Sequence, residues 1–385
     1  MTDKDPHPSS THPPLPPTSE DDQFSRLRLL RSRRVGITTY KRLLTEHGTA
    51  QNALAALPEV ARAAGVETYE VCPEAVIQAE LNAAREAGAR LVIQGTPAYP
   101  DLLGQLDDAP PFLWAIGDMG LLRRPMIALV GARNASSLGM RMARKLARDL
   151  GAAGYVIVSG LARGIDSAAH TAAIETGTVA VQAGGVDIMY PPENTELAGS
   201  IAESGVRLSE QPMALQPMAR HFPARNRIIS GLCQATVVVE AAAKSGSLIT
   251  ARDALDQGRD VLAVPGSPFD ARSTGCNQLI RDGATLVRHA DDVIEALQPI
   301  HGPPALSLES APRPVPDTRK KPRQSLRKVA ALHNMILSRL SPAPIAEDQL
   351  IRDLAVSASE AAPAILDLEL DGQITRQSGG LLSKG

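Results

Sequence analysis

Between positions 89 and 297, short apolar, β-branched runs stop at glycine-containing turns and hand over to helix-forming stretches, one after another. The runs at 91–93, 112–116, 126–130, 155–159, 179–182, 206–208, 236–239, 261–264 and 285–287 are read as strands. Such runs lack a polar face, so each must be covered on both sides, and a parallel sheet between two helical layers does this. Strands alternating with helices at this spacing predict an extended Rossmann-like, doubly wound, mostly parallel α/β sheet.

In such sheets ligands bind outside the carboxyl ends of the strands, which is where the glycine turns fall. The turns at Gly131, Gly160, Gly184 and Gly246 are therefore expected to share one crevice. Around them stand Arg133, Ser136 and Ser137, then Arg163 and Gly164, then Lys244, Ser245 and Ser247 before a helix. Glycine and hydroxyl residues at a helix start leave backbone N–H groups beside a positive helix end, which favours an anion, above all phosphate. The segment 221–231, HFPARNRIISG, adds Phe222, Arg225, Asn226 and Arg227, with Arg220 just before it. Taken alone, these residues fit two accounts: a phosphate site, or a helix cap at Ser247 with arginines in ordinary ion pairs. There is no GxGxxG after the first strand and no GxxxxGK[ST], which disfavours a hydride-transfer enzyme and an ATPase.

Composition narrows the partners. The chain has 385 residues, 43% hydrophobic content and a net charge of −2, so nucleic-acid binding requires a local basic pocket. Aromatic residues make up 3%, so base-stacking platforms must be few. Cys72, Cys233 and Cys276 lie far apart without a CxxC, and the histidines show no ligand spacing. Neither a disulfide framework, a metal site nor a cofactor is expected, and the thiols suit a reducing cytoplasm. No stretch is long and apolar enough to span a bilayer. Asp166 and His170 stand four apart, a spacing for an acid–base pair, but no nucleophile accompanies them. The expectation is that Asp166 caps a helix and His170 bonds to it.

Flanking segments differ in texture. Positions 1–22, rich in Pro, Ser, Thr and Asp, are read as a disordered tail. Positions 23–88 carry leucines at helical spacing and predict a small helical module similar to sterile-alpha-motif or helix-hairpin-helix units. Arg31, Arg33 and Arg34 there suit either DNA phosphates or a solvated face. The sheet domain then spans 89–298. Proline-rich 299–323 reads as a linker, and 324–385 as three helices and a two-stranded wing, a winged-helix domain. Its third helix opens with Ser357 and Glu360 at capping-box spacing and carries Asp367 and Glu369 but no Lys or Arg. That is poor for a major-groove reader or a transcription regulator, and points to a protein partner.

Taken together, SGLARGIDSAAH (159–170), GGVDIMYPPEN (184–194), HFPARNRIISG (221–231), SGSLITA (245–251) and VLAVPG (261–266) resemble the DNA-processing protein A (DprA/Smf) family. The resemblance implies a cytoplasmic homodimer that binds single-stranded DNA during natural transformation, loads the RecA recombinase onto it, and catalyses no reaction. It implies phosphate contacts from Arg133 and the RNR element, base contact from Phe222, and a dimer interface through Leu279 and Ile280. Many relatives carry a Lys where this chain has Ala219, with Arg220 next to it as a substitute.

The rival reading is an enzyme. The segment VVVEAAAKSGSLIT also resembles the phosphate loop of lysine-decarboxylase-like phosphoribohydrolases. Here Lys244, Ser245 and Gly246 replace the Pro-Gly-Gly of that loop, and Arg252-Asp253 replace paired glutamates. The cradle is kept and the acid lost.

Overall fold

A computed structural model describes residues 19–298, 326–340, 344–354, 356–377 and 381–384. The expected tail up to position 18 and the expected linker at 299–323 lie outside the described residues. The chain divides into two compact units, Met1–His301 and Gly302–Gly385.

The first unit opens with helices α1 (Glu20–Arg31), α2 (Ile37–His47), α3 (Ala50–Ala63) and α4 (Glu74–Glu86). Helix α1 starts three residues ahead of the expected position 23. Ser19 Oγ accepts the Asp22 N–H, and Glu20, Asp21 and Asp22 face the positive helix end. Leu27, Leu43 and Ile77 of these helices share one apolar cluster with Phe112, Trp114 and Met213, so the helical segment is packed onto the sheet. At the centre of this contact Glu80 is buried, accepting from Arg31 Nη2 at 2.8 Å and from the Trp114 indole N–H at 2.7 Å. Arg31 is therefore occupied, also reaching the Glu210 carbonyl at 3.4 Å, while Arg33 and Arg34 are exposed.

The sheet domain follows as β1 (Arg90–Ile93), α5 (Asp101–Gly104), β2 (Phe112–Gly117), β3 (Met126–Gly131), α6 (Ser137–Ala152), β4 (Val156–Ser159) and α7 (Ile165–Ala173). It continues through β5 (Thr178–Val181), α8 (Thr195–Ser204), β6 (Val206–Ser209), α9 (His221–Gly231), β7 (Ala235–Glu240) and α10 (Ser247–Asp256). It closes with β8 (Asp260–Ala263), α11 (Thr274–Arg281), β9 (Thr285–Leu286) and α12 (Ala290–Leu297). The nine strands lie in the order β1-β2-β6-β5-β4-β3-β7-β8-β9. From β6 to β9 all neighbours are parallel, and β1 and β2 join antiparallel. Alternate side chains feed two cores: Ala128, Val158 and Val238 on one face, Ile127, Ile157 and Val237 on the other. This two-sided burial is what the continuous apolar runs demanded.

The second unit contains α13 (Leu326–Arg339), β10 (Ile345–Ala346), α14 (Glu347–Leu354), α15 (Ala358–Leu370), β11 (Ile374–Gln377) and β12 (Leu381–Lys384). It is a winged-helix domain with Ile336, Leu350, Ile365 and Leu382 in its core. The wing is three-stranded, β10-β12-β11, because Ile345 and Ala346 pair with Leu382 and Leu381. The Glu360 side chain, half of the expected capping box, lies outside the described residues.

Asp166 and His170 are both buried but do not bond to each other as expected. Asp166 accepts the Gly160 and Ala162 N–H groups at 3.1 and 3.4 Å, so it ties down the loop before α7. His170 lies on the same helix, deeper. Its Nε2 accepts the Leu161 N–H at 3.3 Å and its Nδ1 meets Thr178 Oγ at 2.7 Å. Because the Thr178 hydroxyl donates to the Ile157 carbonyl, Nδ1 must donate to it, which fixes a neutral Nδ1–H ring. Burial, reinforced by the Arg225 charge, pulls the His170 pKa down to about 3.

Glu80→Ala strips two buried donors of their acceptor and is expected to cost about 3 kcal/mol. Urea unfolding followed by Trp114, the only tryptophan, checks this. His170, with its folded pKa below the unfolded value, favours the folded state fully above about pH 6.5. That contribution is lost as pH falls towards 3. In NMR titration the His170 ring signals are expected to stay fixed between about pH 5 and pH 8; a midpoint inside that window refutes the neutral assignment.

Candidate nucleic-acid interface

The order of the strands creates the site. From β3 the chain winds outward through β4, β5 and β6, then returns to the other side of β3 for β7, β8 and β9. Connections leaving β3 and β7 diverge, and the carboxyl ends of these strands open a crevice between them. A crevice of about 750 Å³ is found there, walled by the turn at Gly131 and Arg133, by Phe222 and Arg225 of α9, and by Lys244 to Ser247. A smaller pocket of about 180 Å³ adjoins it, lined by Gly160, Arg163, Gly184, Tyr190 and Glu193. Arg133, Ala162 and Phe222 line both. The four glycine turns thus converge, but on two adjoining hollows.

Between the hollows stands a ridge. The exposed Arg133 guanidinium lies over the Phe222 ring at 5.2 Å, and Phe222 meets Tyr190 at a centroid distance of 5.8 Å. A cation over an aromatic face is held in place electrostatically while its N–H edges stay open to an anion. Helix starts add donors around it. Helices α6, α7 and α10 all begin at this end of the sheet, and Gly164 leads α7 with φ of +78°. A Cβ on Gly164 would come within 2.3 Å of the Ala132 carbonyl, so only glycine lets this helix end approach the Arg133 turn.

Some expected contacts are engaged within the protein. Ser136 gives both its N–H, at 2.9 Å, and its hydroxyl to the Glu240 carboxylate, and its oxygen caps Gly139 at 2.9 Å. Gly160 donates to Asp166 and accepts from Arg225 Nη1 at 2.6 Å. The RNR element is part of helix α9, and the helix separates its two arginines. Arg225 is buried, with Nη1 also on the Val181 carbonyl, and still lines the crevice. Burial lowers its pKa to about 10, opposed by the Asp166 charge, so it remains a cation at neutral pH. Arg227 turns away: it pairs with Glu210 at 2.5 Å and with Asp108 at 3.5 Å, and lines a different hollow. Glu210 thus holds one arginine of this element.

Asn226, Lys244, Ser245, Gly246 and Ser247 line the crevice, with Ser245 and Ser247 hydroxyls 2.7 Å apart. Ser137 and Arg220 are exposed and line neither hollow, whereas Ala219 does line the crevice. Arg163 is exposed at the rim of the smaller pocket, 3.6 Å from Glu193. Leu279 and Ile280 are half-buried on α11 and pack against the sheet core. Sequence reasoning missed Tyr190, Asn134 and Arg272, which line these hollows. Tyr190 lies inside the GGVDIMYPPEN motif and was open to notice, but nothing local marks Arg272.

Comparison with known proteins agrees with this architecture along the chain. Family models match in three places: DNA recombination-mediator protein A at residues 90–298, a DprA-like N-terminal HHH domain at 20–83 and a DprA winged helix domain at 320–380. The chain is 44% identical to DNA processing protein DprA of Bacillus subtilis over 220 residues, 56% of this chain and 74% of that one. It is 35% identical to protein Smf of Escherichia coli over 311 residues, 80% of this chain and 81% of the relative. Among solved structures, DNA processing protein A of Streptococcus pneumoniae superposes with a TM-score of 0.61 at 36% identity, covering 71% of this chain and 97% of that one. DNA processing protein A of Helicobacter pylori, described for its single-stranded DNA binding mode, gives 0.50 at 30% identity over 54% of this chain and 95% of that one. With the same three domains in the same order, this chain belongs to the DNA recombination-mediator protein A family, DprA/Smf.

Proposed function

We propose that this protein binds single-stranded DNA along the crevice and the adjoining pocket, and acts as a mediator of recombination. The observation that carries this is the Arg133–Phe222–Tyr190 ridge between the two hollows. It sets a phosphate-seeking cation on aromatic faces that a base can stack against. Lys244, the buried Arg225 and the start of α10 supply positive potential around it. These groups address the backbone, so sequence preference is slight and salt dependence strong. The single-stranded DNA binding named for the Helicobacter pylori relative supports the same reading.

Family membership extends the proposal to loading RecA onto incoming DNA in natural transformation, in the cytoplasm and as a homodimer through Leu279, Ile280 and the edge strand β9. Among the described residues no helix is long and apolar enough to cross a membrane, which fits that setting. The winged-helix domain, with Asp367 and Glu369 on α15, suits a protein partner better than a DNA groove.

The enzyme alternative lacks its acid. Glu240, before the loop, is held by Ser136, and Asp253 lines the Arg227 hollow away from the crevice. A water at the phosphate cradle therefore has no free carboxylate from either position to activate it.

In gel-shift titrations the protein is expected to prefer single-stranded oligonucleotides to blunt duplex, and equal affinities refute the reading. Arg133→Ala is expected to weaken all sequences alike and lower the salt slope by about one phosphate contact. Incubation with nucleoside monophosphates or ATP is expected to give no turnover by chromatography; turnover abolished by Lys244→Ala would restore the enzyme reading.

A further inference from the structure

The chain has only four phenylalanines. Phe112 is fully buried, Phe24 packs in the helical core and Phe222 lies beneath Arg133. Phe269 is 100% exposed. It sits in the connection from β8 to α11, whose conformation is set by several hydrogen bonds. Gly266 exchanges a pair of hydrogen bonds with the Asn277 amide at 3.1 and 3.0 Å. The Phe269 N–H donates to Ser267 Oγ at 3.3 Å, and the Asp270 carboxylate accepts from Arg272 three times, from its backbone N–H at 3.0 Å and its guanidinium at 3.1 and 3.2 Å. Arg272, on the same turn, lines the crevice.

A lone exposed aromatic ring is unremarkable by itself. Here it stands three positions from a crevice cation, on a turn anchored at Gly266 and around Asp270, and its neighbours Ser267, Asp270 and Arg272 are polar. Ser267 and Asp270, which flank the ring, are of residue types depleted from protein contacts. The ring is well made for stacking against a nucleobase whose phosphate meets the arginine. We propose that Phe269 is a second base-stacking platform, carrying single-stranded DNA out of the crevice past Arg272 and over the β8–α11 connection; this rests on the single-stranded DNA reading above. The crevice then forms one part of a longer path, with aromatic stops at Phe222 and Phe269.

The test titrates full-length protein with an oligo-dT and with an abasic oligonucleotide of equal length. Phe269→Ala is expected to weaken oligo-dT binding roughly 5- to 100-fold with an unchanged salt slope, and to leave abasic binding as in wild type. Phe269→Trp is expected to restore affinity. Because the side chain is wholly in solvent, circular dichroism should not change. Unaltered oligo-dT affinity in Phe269→Ala, alongside weakening by Arg133→Ala, overturns this inference and leaves the crevice reading intact. Absence of oligo-dT binding by the wild type overturns both. A fall in mass by light scattering for Phe269→Ala assigns the ring to a contact between copies and also overturns it.

Discussion

The buried guanidinium of Arg225 is the interaction on which the crevice end of the sheet depends. It joins the carbonyls of Gly160 and Val181, which follow or end the adjacent strands β4 and β5. Asp166, itself bonded to the Gly160 and Ala162 N–H groups, balances the charge. A buried cation is tolerated only when its donors find acceptors and an opposite charge is near. Meeting those needs sets the shape of the loop after β4, and with it the wall shared by the two hollows. Gly160 belongs to the same arrangement: a Cβ there would lie 2.2 Å from Arg225 Nη1.

Around this anchor, polar groups separate into those occupied inside the protein and those left facing the crevice. Glu240 holds Ser136 and so fixes the start of α6; Glu210 holds Arg227 and receives Arg31 at its carbonyl, linking α9 to the helical segment. Arg133 and Lys244 are exposed and have no such protein carboxylate in contact among the described residues. An exposed cation on an aromatic ring is ready for an anion without first breaking an ion pair. This division explains why the chain, with a net charge of −2, can still present a locally positive end.

Much of the architecture was legible in the residues. The apolar runs placed every strand of the central sheet to within a residue or two, because most of these strands are buried on both faces and few of their positions are polar. The glycine turns marked the end of the sheet where the crevice and its adjoining pocket open, the carboxyl end of the strands. The roles of individual polar groups were harder to read. Arg225 and Arg227 stand two apart in one motif, yet a helix turns them through roughly 200°, one into the core and one towards Glu210. Asp166 and His170 have the spacing of a bonded pair, yet each satisfies a backbone group nearer to it in space.

The sequence by itself determined the domain series, the parallel sheet, the absence of a nucleotide-triphosphate loop and the membership of a family. These follow from periodicity and from short motifs, which are local properties. Tertiary structure alone decided which arginine is buried, which serine is taken up by Glu240, and that Tyr190 and Arg272 reach the hollows. The physical reason is that a polar group is used by whichever partner the fold brings within about 3 Å. For these residues that partner lies on a different strand or helix, at a separation no local pattern encodes.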